Sequence, residues 1–98
     1  MTEITPNELH TRMQQQDIFL LDVREPFEHE AFNIGGKLIP LGDIITMAEN
    51  IPTDKPVILY CKTGIRSQLA IQRLQNKFGF TNLLNLKGGM EAWKKAIH

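Results

Sequence analysis

The amino-acid sequence predicts an α/β fold in which a mostly parallel sheet is covered by helices on both faces. Two observations support this prediction. Short apolar runs alternate with amphipathic segments along the whole chain, and the connections between them are short; such chains form parallel sheets, because each helix returns the chain across one face. Two of the runs, at residues 18–21 and 57–60, have no polar side, as expected of strands that are buried on both faces.

The first half of the chain is expected to contain three strands and three helices. The expected strands are residues 3–5, 18–21 and 37–41, and the expected helices begin at residue 6 and span residues 25–30 and 43–49. Thr5 followed by Pro6 is typical of a helix start, with the threonine as cap and the proline in the first position. Pro40 ends the third strand or places it at an edge of the sheet.

The second half is expected to contain two strands and two helices. The strands are residues 57–60 and 83–86, a helix runs from about Gly64 to Phe78, and a last helix follows residues 87–89. Ala70, Ile71, Leu74 and Phe78 form one apolar stripe on the longer helix. Gly79 ends that helix in the usual C-terminal manner.

Length and composition limit the classes of function. Ninety-eight residues predict one domain, residues 1–98, and eleven basic residues balance eleven acidic ones. The neutral balance argues against nucleic acid or an anionic membrane as a partner. No stretch approaches the roughly twenty apolar residues of a membrane span, and no signal peptide is visible. The single cysteine forms no internal disulfide and no metal set with three scattered histidines. A cytoplasmic protein is therefore expected.

Three segments that carry reactive or flexible residues follow strand ends. Cys61 follows residues 57–60, Asp22 and Arg24 follow residues 18–21, and residues 87–89 (Lys-Gly-Gly) follow the last strand. In parallel sheets ligands bind beyond the carboxyl ends of the strands. These segments are therefore expected to converge on one rim.

The loop after Cys61 has the chemistry needed to activate a thiol. A helix N-terminus, the cations Lys62 and Arg66, and loop N–H groups would each favour the thiolate, which otherwise forms only near pH 8.5. Gly64 lets the loop turn closely, and two hydroxyl donors are at hand, Thr63 and Ser67. The expected result is an exposed thiolate in a small anion-binding cup, with the site residues Cys61, Lys62, Thr63, Gly64, Ile65, Arg66 and Ser67.

Structural explanations compete with these assignments. A lone cysteine at a strand end is often a small buried hydrophobe, but the polar residues directly after Cys61 favour the reactive role. Asp22 and Arg24 are expected to pair structurally rather than react, and His29 is expected to be solvated. The remaining candidates are core residues (Met90, Trp93), a turn at residues 88–89 and a solvated helix face at residues 94–95.

Four segments in order carry a resemblance to a known family. They are LLDVREPFEHE at residues 20–30, IPL at 39–41, VILYCKTGIRS at 57–67 and LKGGMEAW at 86–93. Over nearly all of its length the chain resembles a single-domain rhodanese, a thiosulfate sulfurtransferase-like protein. The resemblance implies a central parallel sheet of about five strands, Cys61 as the nucleophile and residues 61–66 as the active-site loop.

The resemblance also implies a mechanism. The Cys61 thiolate takes the outer sulfur of a donor such as thiosulfate or a protein persulfide partner, and a thiophilic acceptor such as cyanide or a thiol completes the exchange. Arg66 would orient the anionic donor, Lys62 would assist electrostatically, and Asp22 and Arg24 would organise the rim. No metal and no organic cofactor is implied.

Two alternatives and one departure accompany the resemblance. A small phosphatase or oxyanion reductase of related fold carries one more residue between cysteine and arginine than the four found here, which argues against that reading. A carrier or binding module that delivers persulfide to another protein is the second alternative. Asn33 stands where histidine is common in the family and Gly35 where proline is common, and a local structural effect is expected.

Overall fold

A computed structural model describes residues 2–15 and 17–97. Its strands are β1 (Glu3–Ile4), β2 (Phe19–Asp22), β3 (Lys37–Leu38), β4 (Val57–Tyr60) and β5 (Leu83–Leu86). Its α-helices are α1 (Pro6–Gln15), α2 (Pro26–Ala31), α3 (Ile65–Phe78) and α4 (Gly89–Ala96). All five strands predicted from the sequence are present. Four lie within one residue of their expected bounds, whereas β3, expected over residues 37–41, ends at Leu38.

The strands form one sheet in the order β1-β5-β4-β2-β3, and every neighbouring pair is parallel. The order places β4 in the middle, between β5 and β2. Because all strands run the same way, the ends of β2, β4 and β5 lie along one edge of the sheet. Cys61, Asp22 and Lys87 therefore emerge at the same edge, as the sequence predicted.

Helices cover both faces of the sheet, which confirms the predicted α/β layering. One face packs against α1 and α4, where Leu9, Met90 and Trp93 are buried with Tyr60 and Leu86. The other face packs against α3, with residues 44–51 filling the space beside it. The middle strand β4 is buried at all four positions, so its end is rigidly held.

The helix boundaries follow local sequence signals. Thr5 Oγ1 accepts a hydrogen bond from Glu8 N at 3.2 Å, and Glu8 Oε1 accepts one from Thr5 N at 2.9 Å. This reciprocal arrangement satisfies two backbone donors at the start of α1. Gly79 ends α3 at φ +72°, as predicted, but Phe78 is 50% exposed and does not complete the buried stripe.

The α-helix predicted at residues 43–49 is wrong. The chain forms two short 3-10 turns there, Leu41–Asp43 and Ala48–Asn50. Their hydrogen bonds span three residues, as in Asn50 N to Met47 O at 3.0 Å. This tighter winding buries Ile51, beyond the expected helix end, in the same cluster as Ala48; apolar packing here overrides the helical spacing.

The longest helix, α3, has fourteen residues. In the described part of the chain, no helix is both long and apolar enough to cross a membrane.

Candidate active site

Cys61 lies at the end of the central strand and is almost completely buried. It is 1% exposed, so the expectation of an exposed thiolate is wrong. The chain turns directly after it, because Gly64 takes φ +100° and acts as the N-cap of α3. A side chain would fit in the space at Gly64, so the left-handed backbone is what requires glycine there.

Three hydrogen bonds surround the sulfur. Gly64 N donates to Cys61 Sγ at 3.1 Å and Ser67 N donates at 3.4 Å, while Ser67 Oγ lies 3.4 Å from the sulfur. Burial acts to raise the pKa of the Cys61 thiol. The hydrogen bonds from Ser67 and from the N–H groups of Gly64 and Thr63 outweigh burial, and the thiol pKa is lowered below its ordinary value.

The start of α4 fixes the direction of the loop backbone. Met90 N donates to Cys61 O at 2.8 Å and Glu91 N donates to Lys62 O at 3.0 Å. In a trans peptide the N–H points opposite to the C=O, so the N–H groups of Lys62 and Thr63 face away from α4. Residues 88–89, where the sequence predicts a turn, form the entry into α4 and border the loop.

Gly89 allows this close approach. A Cβ atom on Gly89 would stand 2.5 Å from Cys61 O, and its φ is +59°. Both the space and the backbone conformation exclude an ordinary side chain.

Asn85 is a site residue that sequence reasoning missed. It is 2% exposed on β5, its Oδ1 lies 2.5 Å from Ser67 Oγ, and its Nδ2 donates to Gly64 O at 3.2 Å. We call Cys61, Gly64, Ser67 and Asn85 the floor of the site. Since Ser67 has one hydroxyl proton, it donates either to Asn85 or to a Cys61 thiolate. The signal that marks Asn85 is its polar side chain within the apolar run LLNL.

Glu28 was also missed, and it is the partner of Arg66. Arg66 Nη1 and Nη2 donate to Glu28 Oε1 and Oε2 at 2.7 and 2.9 Å. We call Arg66 and Glu28 the entrance pair. The hydrogen bond from Arg66 lowers the pKa of Glu28 from 4.5 to about 2. Glu28 raises the pKa of Arg66, and a Cys61 thiolate adds to that rise through its charge.

The other loop residues point outward. Lys62 and Thr63 are exposed, and Ile65 is 72% exposed. Of the residues predicted for the site, the structure thus brings Gly64 and Ser67 against the sulfur and turns Arg66 toward α2.

Asp22 and Arg24 form a buried pair, in the structural role that the sequence predicted. Arg24 N, Nε and Nη2 donate to the Asp22 carboxylate at 2.9–3.0 Å, and Nη2 also donates to Phe32 O at 2.6 Å. His29 Nδ1 lies 2.8 Å from Asp22 Oδ2 with its side chain 23% exposed. The expectation that His29 is solvated is therefore wrong, because the buried carboxylate holds it. We call Asp22, Arg24 and His29 the rim cluster.

The rim cluster links α2 to the strand that leads to the thiol. The Arg24 guanidinium carbon lies 5.6 Å from the centre of the Tyr60 ring, and burial raises the pKa of Tyr60 to about 12. The Tyr60 hydroxyl accepts from Gly36 N at 3.3 Å. Since α2 buries none of its side chains, polar contacts rather than apolar packing hold it beside the loop.

The family departures at residues 33 and 35 lie at the end of α2. Asn33 Nδ2 donates to His29 O at 2.9 Å, and Asn33 Oδ1 accepts from Gly35 N at 2.8 Å. Gly35 has φ +95°, which glycine adopts without strain. The asparagine thus closes the helix and orders the turn that follows. Among residues 2–15 and 17–97, no three His, Cys, Asp or Glu side chains are grouped to hold a metal ion.

The fold and the site define a class of protein. It is a parallel α/β domain in which a strand-to-helix loop directs N–H groups at a cysteine sulfur. A family model, the rhodanese-like domain, matches residues 5–96, and the chain belongs to that family.

Curated relatives support the assignment. The chain is 48% identical to the Bacillus subtilis protein YqhL over 76% of this chain and 59% of that protein. It is 39% identical to the probable adenylyltransferase/sulfurtransferase MoeZ of Mycobacterium tuberculosis, covering 96% of this chain but 25% of the relative. A sulfurtransferase of Allochromatium vinosum is 35% identical, with 97% of this chain and 90% of that protein covered. The chain thus spans a little over half of one of these relatives and a quarter of another.

Solved structures agree with the fold. A rhodanese-related protein from Thermoplasma volcanium has a TM-score of 0.88 at 26% identity, covering 100% of this chain and 95% of that one. A rhodanese-like domain protein from Staphylococcus aureus has a TM-score of 0.87 at 28% identity, covering 95% and 91%. Two of the curated relatives are themselves named as sulfurtransferases.

Proposed function

We propose that this protein is a sulfurtransferase that carries a sulfane sulfur on Cys61 as a persulfide. The observation that carries the proposal is the floor of the site, where the N–H groups of Gly64 and Ser67 donate to one sulfur, Ser67 Oγ lies beside it, and the pKa of the thiol is lowered. A thiolate is the form of cysteine that attacks sulfur. A persulfide places its negative charge on a terminal sulfur, which requires the same kind of donors.

The chemistry proceeds in two displacements. The Cys61 thiolate attacks the outer sulfur of the donor, a sulfur–sulfur bond forms, and the bond between that sulfur and the donor's sulfonyl group breaks. With thiosulfate the leaving group is sulfite, which takes the electron pair, and Cys61 is left as a persulfide anion. An acceptor then attacks the terminal sulfur; cyanide becomes thiocyanate and the thiolate is restored. This is covalent catalysis in ping-pong order.

Mass measurement of the protein between the two displacements tests the proposal. Reduced protein is mixed with thiosulfate or methanethiosulfonate, freed of donor, weighed intact, and then given cyanide. We expect a gain of one sulfur atom that cyanide removes with one equivalent of thiocyanate. Cys61→Ser is the matched control, since Cys61 is the only cysteine and serine replaces its thiol with a hydroxyl of similar size.

Two results would contradict the proposal. One is the absence of a sulfur gain with both donors, and the other is the same gain in Cys61→Ser.

The loop of four residues between Cys61 and Arg66 also predicts no turnover of p-nitrophenyl phosphate. Turnover of that ester that depends on Cys61 would favour the phosphatase alternative.

A carrier role is the second candidate. Relatives named adenylyltransferase and sulfurtransferase correspond to this chain over only 22–25% of their length. In those relatives the matching segment is therefore part of a much longer polypeptide. For this chain we propose that a persulfide on another protein is among its donors, or that a thiol on another protein is among its acceptors. A stable sulfur gain with fewer than one turnover per minute would favour the carrier, and rapid turnover the enzyme.

A lone cysteine fits a reducing compartment. We therefore propose that the protein acts in the cytoplasm.

A further inference from the structure

We propose that Glu28 sets the charge of the entrance to Cys61, so that the site favours sulfur donors with little negative charge over dianions such as thiosulfate. The inference deepens the proposed function and rests on Cys61 as the reacting group. It assigns a specificity-determining role to a residue outside the loop.

The geometry of the entrance pair carries the inference. The one guanidinium that the loop contributes, Arg66, faces the Glu28 carboxylate with two parallel hydrogen bonds of 2.7 and 2.9 Å. An oxyanion of a sulfur donor would have to compete for this guanidinium with a carboxylate that is already bound in the bidentate geometry that suits arginine best. Arg66 therefore offers little net positive charge to an incoming anion.

The pair is held in place from the α2 side. Glu28 Oε1 also accepts a hydrogen bond from Glu25 N at 3.1 Å, and Glu28 N donates one to Glu25 O at 3.0 Å. The rim cluster fixes the same helix through His29 and Asp22. Glu28 is only 18% exposed and Arg66 is 33% exposed, so the two charges stay close and are incompletely screened by water.

The charges near the entrance cancel. Glu28 is ionised at neutral pH, and Glu25 adds a second carboxylate whose charge acts on Arg66. On the basic side are Arg66 and the exposed Lys62, while Arg24 is compensated by Asp22. Removing the charge of Glu28 alone would leave the entrance net positive.

The effect has a quantitative form. The interaction energy between a fixed charge and an ion is proportional to the charge of the ion. The fold increase for a dianion in Glu28→Gln is therefore the square of that for a monoanion. We expect about threefold for a monoanion and about tenfold for thiosulfate at low ionic strength, with both increases reduced at high salt.

The first experiment uses two alkylating reagents of nearly equal size, iodoacetate, which is an anion, and iodoacetamide, which is neutral. Their rate constants at Cys61 are measured by intact mass in wild type, Glu28→Gln and Glu30→Gln. Because both reagents attack the same thiolate, a change in the thiol pKa cancels in the ratio of the two constants. Glutamine still accepts the bond from Glu25 N, and Glu30 is an exposed carboxylate on the same helix, which makes it the matched control.

We expect the iodoacetate-to-iodoacetamide ratio to rise about threefold in Glu28→Gln and to change by less than about 1.5-fold in Glu30→Gln. An unchanged ratio in Glu28→Gln, or an equal rise in both variants, overturns the proposal. A merely structural role of Glu28 would change both rate constants together and leave the ratio as it was.

The second experiment measures persulfide formation from thiosulfate and methanethiosulfonate in the same three proteins. We expect the second-order rate constants in Glu28→Gln to rise about tenfold and about threefold respectively. Equal factors for the two donors would overturn the proposal. If none of the three proteins formed a persulfide but the alkylation ratio rose as expected in Glu28→Gln, the proposed sulfurtransferase function would be rejected. The role of Glu28 in setting the charge at the entrance would still stand.

Discussion

The floor and the entrance pair act on the same sulfur by different physics. At the floor, Ser67, Cys61 and Asn85 are 0–2% exposed, and the groups that face the sulfur are neutral polar groups within 3.4 Å. At the entrance, two fully charged side chains are 33% and 18% exposed. Short hydrogen bonds in a buried site are insensitive to salt, whereas partly exposed charges are screened by it. The floor therefore governs ionisation of the thiol, and the entrance governs which anion reaches it.

The supporting structure differs in the same way. The helices behind the floor are packed by buried apolar side chains, which are Ala70, Ile71 and Leu74 on α3 and Met90 and Trp93 on α4. The helix behind the entrance, α2, buries none. Substitutions at the floor are thus expected to affect stability and the thiol together, while those at the entrance affect selectivity with little loss of stability.

The largest effect is expected at Gly89, where the loop backbone touches α4. In Gly89→Ala the new Cβ would meet Cys61 O at 2.5 Å in a backbone of φ +59°. Strain in the left-handed region and overpacking together cost about 2–4 kcal/mol of the free energy of unfolding. Urea denaturation followed by circular dichroism measures this loss.

Gly42→Ala is the control for that prediction. Gly42 is exposed, and no atom lies within 4 Å of its ideal Cβ position. Its free energy of unfolding should stay the same or rise by up to about 1 kcal/mol. Equal destabilisation of the two variants would show that the contact between α4 and the loop has no special importance.

Ser67→Ala is expected to give the next largest effect. It removes the hydroxyl that lies 3.4 Å from Sγ and leaves Asn85 Oδ1 without its partner. A hydrogen bond to a charged group contributes about 1.5–3 kcal/mol, so the iodoacetamide rate constant at pH 7 should fall about tenfold. The midpoint of its pH profile should move to higher pH, because the thiolate loses a donor.

The matched variant is Thr63→Ala, which removes an exposed hydroxyl from the same loop. Its pH profile should follow that of wild type. If Ser67→Ala also kept the wild-type profile, backbone N–H groups alone would account for the thiolate, and the floor would have to be redefined without its side chains.

The smallest effect is expected in the pH dependence of stability at the entrance. Arg66 lowers the Glu28 pKa to about 2, so the carboxyl binds protons less readily in the folded chain than in the unfolded one. The stability from this pair is fully present above the unfolded pKa near 4.5 and is lost as pH falls through about 2. At neutral pH it amounts to about 0.5–1 kcal/mol.

Unfolding of wild type and Glu28→Gln by urea at pH 7 and pH 3 measures that contribution. The difference between the two proteins should shrink at pH 3, and Glu30→Gln should match wild type at both. A difference that is the same at both pH values would mean that shape, not charge, makes Glu28 stabilising.

Particular residues show why some features could be predicted and others could not. Some features depend on contacts within about four residues along the chain, so the sequence pattern reveals them. They are the helix start at Thr5 and Glu8, the glycines at the two ends of α3 (Gly64 and Gly79) and the apolar strand before Cys61. The helix predicted at residues 43–49 is wrong because packing of Ile51 into the core selects the tighter turns at residues 41–43 and 48–50. His29 was wrongly placed in solvent because its partner, Asp22, lies across a helix start.

The sequence by itself determined the fold class, the strand that leads to Cys61 and the loop that turns into a helix. These features follow from periodicity, glycine positions and residue spacing, which involve residues that are close together in the sequence. Only the tertiary structure decided that the thiol is buried, that Asn85 lies behind Ser67, and that Glu28 holds Arg66 from 38 positions away. Contacts of that kind depend on the order β1-β5-β4-β2-β3, which packing of the whole sheet selects.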